Sequence, residues 1–305
     1  MAVALSAGLM VASNANAGAT FKIDDTKWIS VGAGLRTSFS AVGDSAGAGS
    51  DGGKTSTSFD LNNIRLYVNG QLHEYIKFEF NTECGNCSDG GDLIVLDAIA
   101  KFEFNDYFNF WVGRQLVPAD RAELNGPFYH STFEFNKTPF YPSDYGDHVA
   151  GKFGRDDGFN IWGALTPDKK LTYVVGIFDG TDGGSNADDN LLYAGRLSYN
   201  FLDVEKNPGY YTSSTYYGGG GDILTLAVAG QYQEDGAGST VNPADFFGYS
   251  VDVLGETTLS NEAVVTVEGE YKHFELTGVV PADGNNFGLF EGDAYTGTAL
   301  YLHPE

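Results

Sequence analysis

The sequence predicts an all-β chain, a transmembrane antiparallel β-barrel, and three observations carry that reading. Many segments alternate apolar and polar residues with period two, several for ten residues or more, the length a tilted strand needs to cross a bilayer. The composition is rich in aromatics and turn formers, with 22 Phe, 18 Tyr and 41 Gly against 2 Met in 305 residues. Aromatics and β-branched residues suit strands and interfacial girdles, and Gly and Asp suit turns. The connections between the alternating segments are long and short by turns, as loops on the two sides of an outer membrane are.

In chain order, Ala2 to Ala12 form an apolar run of small residues followed by Ala15-Asn16-Ala17, an A-x-A cleavage pattern. Residues 1–17 are therefore read as a signal peptide and 18–305 as the barrel domain. No Lys or Arg precedes the apolar run, so the basic start of the signal is missing and is expected upstream. Beyond this run no stretch is long and apolar enough for a membrane-spanning helix.

About twelve strands follow, at roughly 27–42, 56–71, 74–83, 93–104, 107–115, 155–165, 171–179, 190–202, 223–234, 248–258, 262–275 and 293–302. Ile64 to Asn69, Ile76 to Asn81 and Ala100 to Phe104 show the alternation most cleanly, with Val265 to Lys272 near the carboxyl end. With the mature amino terminus in the periplasm, the external connections are 43–55, 84–92, 116–154, 180–189, 235–247 and 276–292, acidic and rich in Gly. The internal turns are short, except 203–222, where either the turn is unusual or the strand count slips.

Parity within the strands places Arg36, Arg65, Lys77, Lys101, Arg196 and Lys272 on the inward, pore-lining face. Glu79, Asp97, Glu103, Glu268 and Glu270 share that face. Arg114 and Arg155, at the two ends of the longest connection, have no direction fixed by parity. That connection, 116–154, is too long to be an idle loop. Folded inward it would narrow the pore, with Asp120, Arg121, Glu123, Glu134, Lys137 and Asp144 projecting into it. A basic wall facing an acidic loop would set a transverse field that filters ions.

The formal charge of −24 excludes nucleic acid and anionic lipid headgroups as electrostatic partners. It favours a general or cation-preferring pore for small hydrophilic solutes or ions. Cys84 and Cys87 are followed by Ser88, so haem attachment is excluded, and the five His are scattered away from them. A disulfide stapling an exposed loop is expected. The Asp179 to Asn190 stretch is rich in oxygen ligands but does not have EF-hand spacing. No metal or cofactor is expected. Two alternatives remain open. One is a barrel sleeve or surface-binding protein that holds a partner such as a cytochrome. The other is an outer-membrane barrel enzyme, against which stand the lack of G-x-S-x-G and the adjacency of His130 and Ser131, which on a strand would point apart.

Several stretches resemble the phosphate-selective porin O/P family. They are Phe59 to Gly70, Tyr75 to Asn81, Leu96-Asp97-Ala98, Trp111 to Gln115, Arg155 to Leu165 and Tyr173 to Gly180, within about residues 55–200. The resemblance implies a trimeric ion-conducting barrel of about sixteen strands in the outer membrane of a Gram-negative-type bacterium. Such barrels end in an aromatic residue, whereas this sequence ends His303-Pro304-Glu305, so closing strands are expected to be missing at the carboxyl end. Phosphate selectivity is not expected here, because 17 Lys and Arg stand against 41 Asp and Glu.

Overall fold

The computed structural model describes residues 18–43, 55–84, 87, 91–133, 139, 141–144, 154–278 and 291–304. The signal-peptide segment, Glu134 and Lys137 lie outside the described residues. The chain divides into two compact units, Met1–Leu96 and Asp97–Glu305. The first contains β1 (Gly18–Lys22), β2 (Trp28–Gly43), β3 (Thr55–His73) and β4 (Ile76–Cys84). β5 (Leu93–Glu103) leads into the second, which continues with β6 (Asn109–Leu116), α1 (Arg121–Tyr129), β7 (Arg155–Ala164), β8 (Leu171–Phe178) and β9 (Leu192–Asn200). β10 (Ile223–Ser239), β11 (Asn242–Thr258), β12 (Val264–Thr277) and β13 (Gly292–Leu302) complete it. Within each unit every strand pairs antiparallel with the next. The fold class is all-β, the antiparallel strand order of a transmembrane barrel.

The two faces of the strands explain why these residues form this fold. On β10, Leu224, Leu226, Val228 and Tyr232 are 39–46% exposed, whereas Thr225, Gln231 and Gln233 on the opposite face are at most 2% exposed. On β12, Thr266, Glu268, Glu270 and Lys272 are buried while Val267 is 51% exposed. A sheet in water would turn its charges outward. Apolar residues out and charges covered is the arrangement that suits hydrocarbon, where only strands with every backbone group paired are tolerated. No helix among the described residues is long and apolar enough to cross a membrane.

The structure departs from the sequence reading in three places. There are thirteen described strands rather than about twelve, because β1, five residues long, pairs with Trp28–Gly32. It is too short to read as a span. Its turn is set by Asp24, whose carboxylate accepts from the Thr26 and Lys27 amides at 2.8 and 2.7 Å and pairs with Lys27 Nζ at 2.7 Å. Those bonds, Lys27 foremost, hold the Asp24 carboxyl below the usual carboxylate range. Second, 235–247 is not a long loop. β10 runs on to Ser239 and β11 starts at Asn242, with the ladder shifting between Gln233 and Ala237. Asp235 takes a left-handed φ of 55° and its amide donates to Asp245 Oδ1 at 3.0 Å, so a bulge absorbs the Gly/Asp-rich run. Third, the strand count does not slip at 203–222, since β9 and β10 are direct neighbours. That connection is long because it folds back onto the sheet.

Cys84, at the end of β4, is disulfide-bonded to Cys87. The Asp179–Asn190 stretch is organised by a side chain. The carbonyls of Asp179, Thr181 and Asn190 converge on the Gln233 amide nitrogen at 3.1, 3.1 and 2.8 Å, and Gln233 Oε1 accepts from the Thr181 amide at 2.9 Å.

Candidate functional site

The polar face of the second unit is covered by the segment between β6 and β7. Its two ends are pinned where the Val117 amide donates to the Gly154 carbonyl at 2.9 Å. From there the backbone is taken up by the strands: Gln231 donates to the Pro118 carbonyl at 3.0 Å and Arg196 to the Ala119 carbonyl at 3.1 Å. Asp120 caps α1 by accepting from the Glu123 amide at 3.0 Å. The helix is broken at Gly126, whose φ of 61° favours glycine, and Pro127 opens a second turn. So the connection is not structureless; it holds two helical turns and a 3-10 turn at Pro142–Asp144. Tyr141 anchors its return. The ring lies 4.5 Å from that of Phe274, in a buried cluster with Ala119, Ala237, Ala244, Phe246 and Leu276.

Around α1 the charges of the segment and the strands interleave. Lys272 Nζ lies 2.8 Å from Asp120 Oδ2 and 3.5 Å from Glu270 Oε1, with the Tyr141 ring 5.3 Å away. The Ala122 amide donates to Glu270 Oε2 at 3.4 Å. Arg196 forks onto Asp252 at 2.5 and 2.8 Å, and Arg121 Nε reaches the same carboxylate at 3.3 Å. The remaining Arg121 nitrogens fork onto Glu205 at 2.9 and 2.6 Å and donate to the Ser213 carbonyl at 2.8 Å. His130 Nε2 lies 4.0 Å from Glu268. All of these strand and α1 carboxylates and cations are nearly or wholly buried, so each pair must be satisfied internally.

Glu205 and Ser213 belong to the connection between β9 and β10. This second segment docks on the first. Thr212 Oγ1 donates to the Arg121 carbonyl at 2.8 Å, the Ser214 amide to the Tyr129 carbonyl at 3.0 Å, and Asn125 to Ser214 Oγ at 2.7 Å. Its far side is held by Glu256, which accepts from Thr215 Oγ1 and the amides of Tyr216 and Gly218 at 2.8–2.9 Å. Tyr210 and Tyr211 pack on Trp111 with ring separations of 5.5 and 5.6 Å. Burial alone would raise the Glu205 carboxyl, but the Arg121 guanidinium overrides it and holds it at about 2. A carboxyl lowered in the folded state stabilises it fully above the unfolded value near 4.5. That contribution, on the order of 3 kcal/mol, is lost as the pH falls from about 4.5 towards 2. The docking of 201–222 is therefore expected to loosen over that range, read as rising protease cleavage within the segment, while a Glu205→Gln variant loses this acid dependence.

The residues expected from sequence fall as follows. In the first unit Arg36 donates to Asn63 at 2.6 Å, Arg65 is buried in an ion pair with Glu83, and Lys77 and Glu79 are half-buried, Glu79 accepting from Asn81 at 2.7 Å. In the second, Asp97 pairs with Arg155 at 3.1 Å, Lys101 lies 3.8 Å over the Trp111 ring, and Glu103 accepts from Trp111 at 3.2 Å. Arg196, Glu268, Glu270, Lys272, Asp120, Arg121 and Glu123 meet around α1, and Asp144 is half-buried in the 3-10 turn. Arg114 turns to the apolar side, where it forks onto Asp157 at 2.8 Å. Among the described residues, acidic and basic groups are mixed on both the strands and the segment. Asp252 and Glu270 on the strands meet Arg121 and the start of α1, while Arg196 and Lys272 meet Asp252 and Asp120. Asp252, Glu256 and Glu205 were not anticipated. Asp252 and Glu256 share the period-two parity of Ser250, so that signal was present; Glu205 lies in the connection whose length broke the pattern. Among the described residues no group of three or more His, Cys, Asp or Glu is placed to hold a metal ion.

Among solved structures, in-vitro folded OmpT, an outer membrane protein of Vibrio cholerae, matches at 12% identity with a TM-score of 0.40, over 84% of this chain and 79% of that one. The trimer form of the same protein matches at 12% identity with a TM-score of 0.33, over 90% and 79%. No curated protein matches the sequence. The model of phosphate-selective porins O and P matches residues 33–220, more than half of the chain. The chain is thus an outer-membrane protein of the phosphate-selective porin O and P family.

Proposed function

We propose that this protein is a passive, non-catalytic porin, a single barrel domain over 18–305 acting as a homotrimer. Small hydrophilic solutes and ions cross its water-filled pore, with cations preferred over phosphate and other anions. The observation that supports cation preference is the formal charge of −24, with 41 Asp and Glu against 17 Lys and Arg. An excess of acidic groups around a pore favours positive ions. The connection 116–154 is the constriction, and the contacts of Pro118 to Arg121 with Gln231, Arg196 and Asp252 support that reading. His130 Nδ1 accepts from the Thr132 amide at 3.2 Å and lies 2.8 Å from the Thr132 hydroxyl.

Planar-bilayer recording in a potassium chloride gradient tests the proposal. A reversal potential of the sign set by potassium is expected, moving towards zero in Glu268→Gln/Glu270→Gln. Anion preference in the wild type would overturn it. Removing residues 120–145 should raise the conductance, and an unchanged conductance would show that the constriction lies elsewhere.

A further inference from the structure

On the apolar face of the second unit, two glycines stand opposite each other in adjacent strands, Gly195 on β9 and Gly230 on β10. Neither position requires glycine. Neither backbone is left-handed, and a Cβ would meet nothing nearer than 3.5 Å at Gly195 or 3.6 Å at Gly230, ordinary contact distances. Glycine inside a strand weakens it, and where the backbone does not demand it, it marks the close approach of something from outside. The two missing side chains open a depression of about 560 Å³ whose floor is bare backbone. Tyr193, Tyr232, Val175 and Phe247 line it, all of them exposed. The volume falls within the usual range for small-ligand pockets, roughly 300–1,000 Å³.

The occupant must be apolar, since no charged side chain lines the depression. It must also be slender, since the aromatic rings stand up around the glycine floor. This face of an outer-membrane protein meets acyl chains. A second copy would bring a wall of its own side chains and would cover the hollow only as part of a contact of roughly 800 Å² on each partner, which would show as a change in oligomeric state. We propose that the Gly195–Gly230 depression is a lipid site that seats one acyl chain of a surrounding phospholipid.

The test is native mass spectrometry of the full-length protein released from vesicles of dimyristoyl phosphatidylethanolamine. Wild type is expected to retain one more lipid per chain than Gly195→Leu/Gly230→Leu, which fills the hollow. Gly297→Leu, on the same face where a Cβ meets nothing within 4 Å, should behave as wild type. Equal retention by wild type and the filled variant would overturn the site. So would a filled variant that changes only the ratio of monomer to oligomer, which would assign the hollow to a second copy. Should the filled variant not fold, the wild type decides alone. A phosphatidylethanolamine with a mid-chain diazirine should label the peptides of Tyr193 and Tyr232 above that of Tyr295, and uniform labelling would refute the proposal.

Discussion

Replacing Arg121 with alanine is expected to destabilise the protein by about 3–5 kcal/mol, the cost of leaving buried charges without their partner. Arg121 bridges Glu205 and the shared carboxylate of Asp252, and it also binds the Ser213 carbonyl. Its loss leaves Glu205 held by the neutral donors Tyr216 and Asn207. The 201–222 segment then has little reason to stay docked. The measurable results are a lower denaturation midpoint, protease cleavage between 201 and 222 in the folded protein, and a raised conductance. Arg121→Lys should recover only part of this, because an ammonium cannot span two carboxylates and a carbonyl as the guanidinium fork does. A variant with wild-type stability and an intact segment would mean that Thr212, Ser214 and Glu256 suffice to hold it.

The strands were legible because a membrane imposes one rule on every residue. Period-two alternation places Arg196 and Leu197, or Val267 and Glu268, on opposite faces whatever the rest of the chain does, and the structure has them there. The same parity puts Arg196, Glu268, Glu270 and Lys272 together on the covered polar face. What alternation cannot carry is the path of chain off the sheet. Nothing local in Leu202 to Asp222 says that it turns back, because its contacts are with Leu116, Arg121 and Tyr129, some ninety residues away. The pairing of charges was hidden likewise. Parity gives the face of Asp252 but not that Arg121, distant in sequence, shares it with Arg196. The bulge after Gln233 was misread for a local reason: Glu234-Asp235-Gly236 has the composition of a loop tip, and only the ladder resuming at Ala237 distinguishes the two.

Lys272→Met is expected to have the second large effect, and its rescue is the sharper test. Lys272 is 1% exposed and stands between Asp120 and Glu270. Burial by itself would raise the Asp120 carboxyl, but the Lys272 charge and its contact outweigh that and lower it. Methionine keeps most of the volume and removes the charge, so two carboxylates are left facing each other in a covered site. A loss of about 3–5 kcal/mol follows if both remain ionised. The alternative is that Asp120 takes up a proton, which would add a step to the pH dependence of stability and conductance. Adding Asp120→Asn removes the uncompensated charge and leaves a side chain that still caps a helix well. The double variant should therefore be more stable than Lys272→Met alone, by more than independent effects allow, and should lose the pH step. If the double variant is instead the sum of its singles, the pair does not act as a unit. The docking of α1 would then rest on Tyr141 against Phe274 and on the backbone contacts to Arg196 and Gln231.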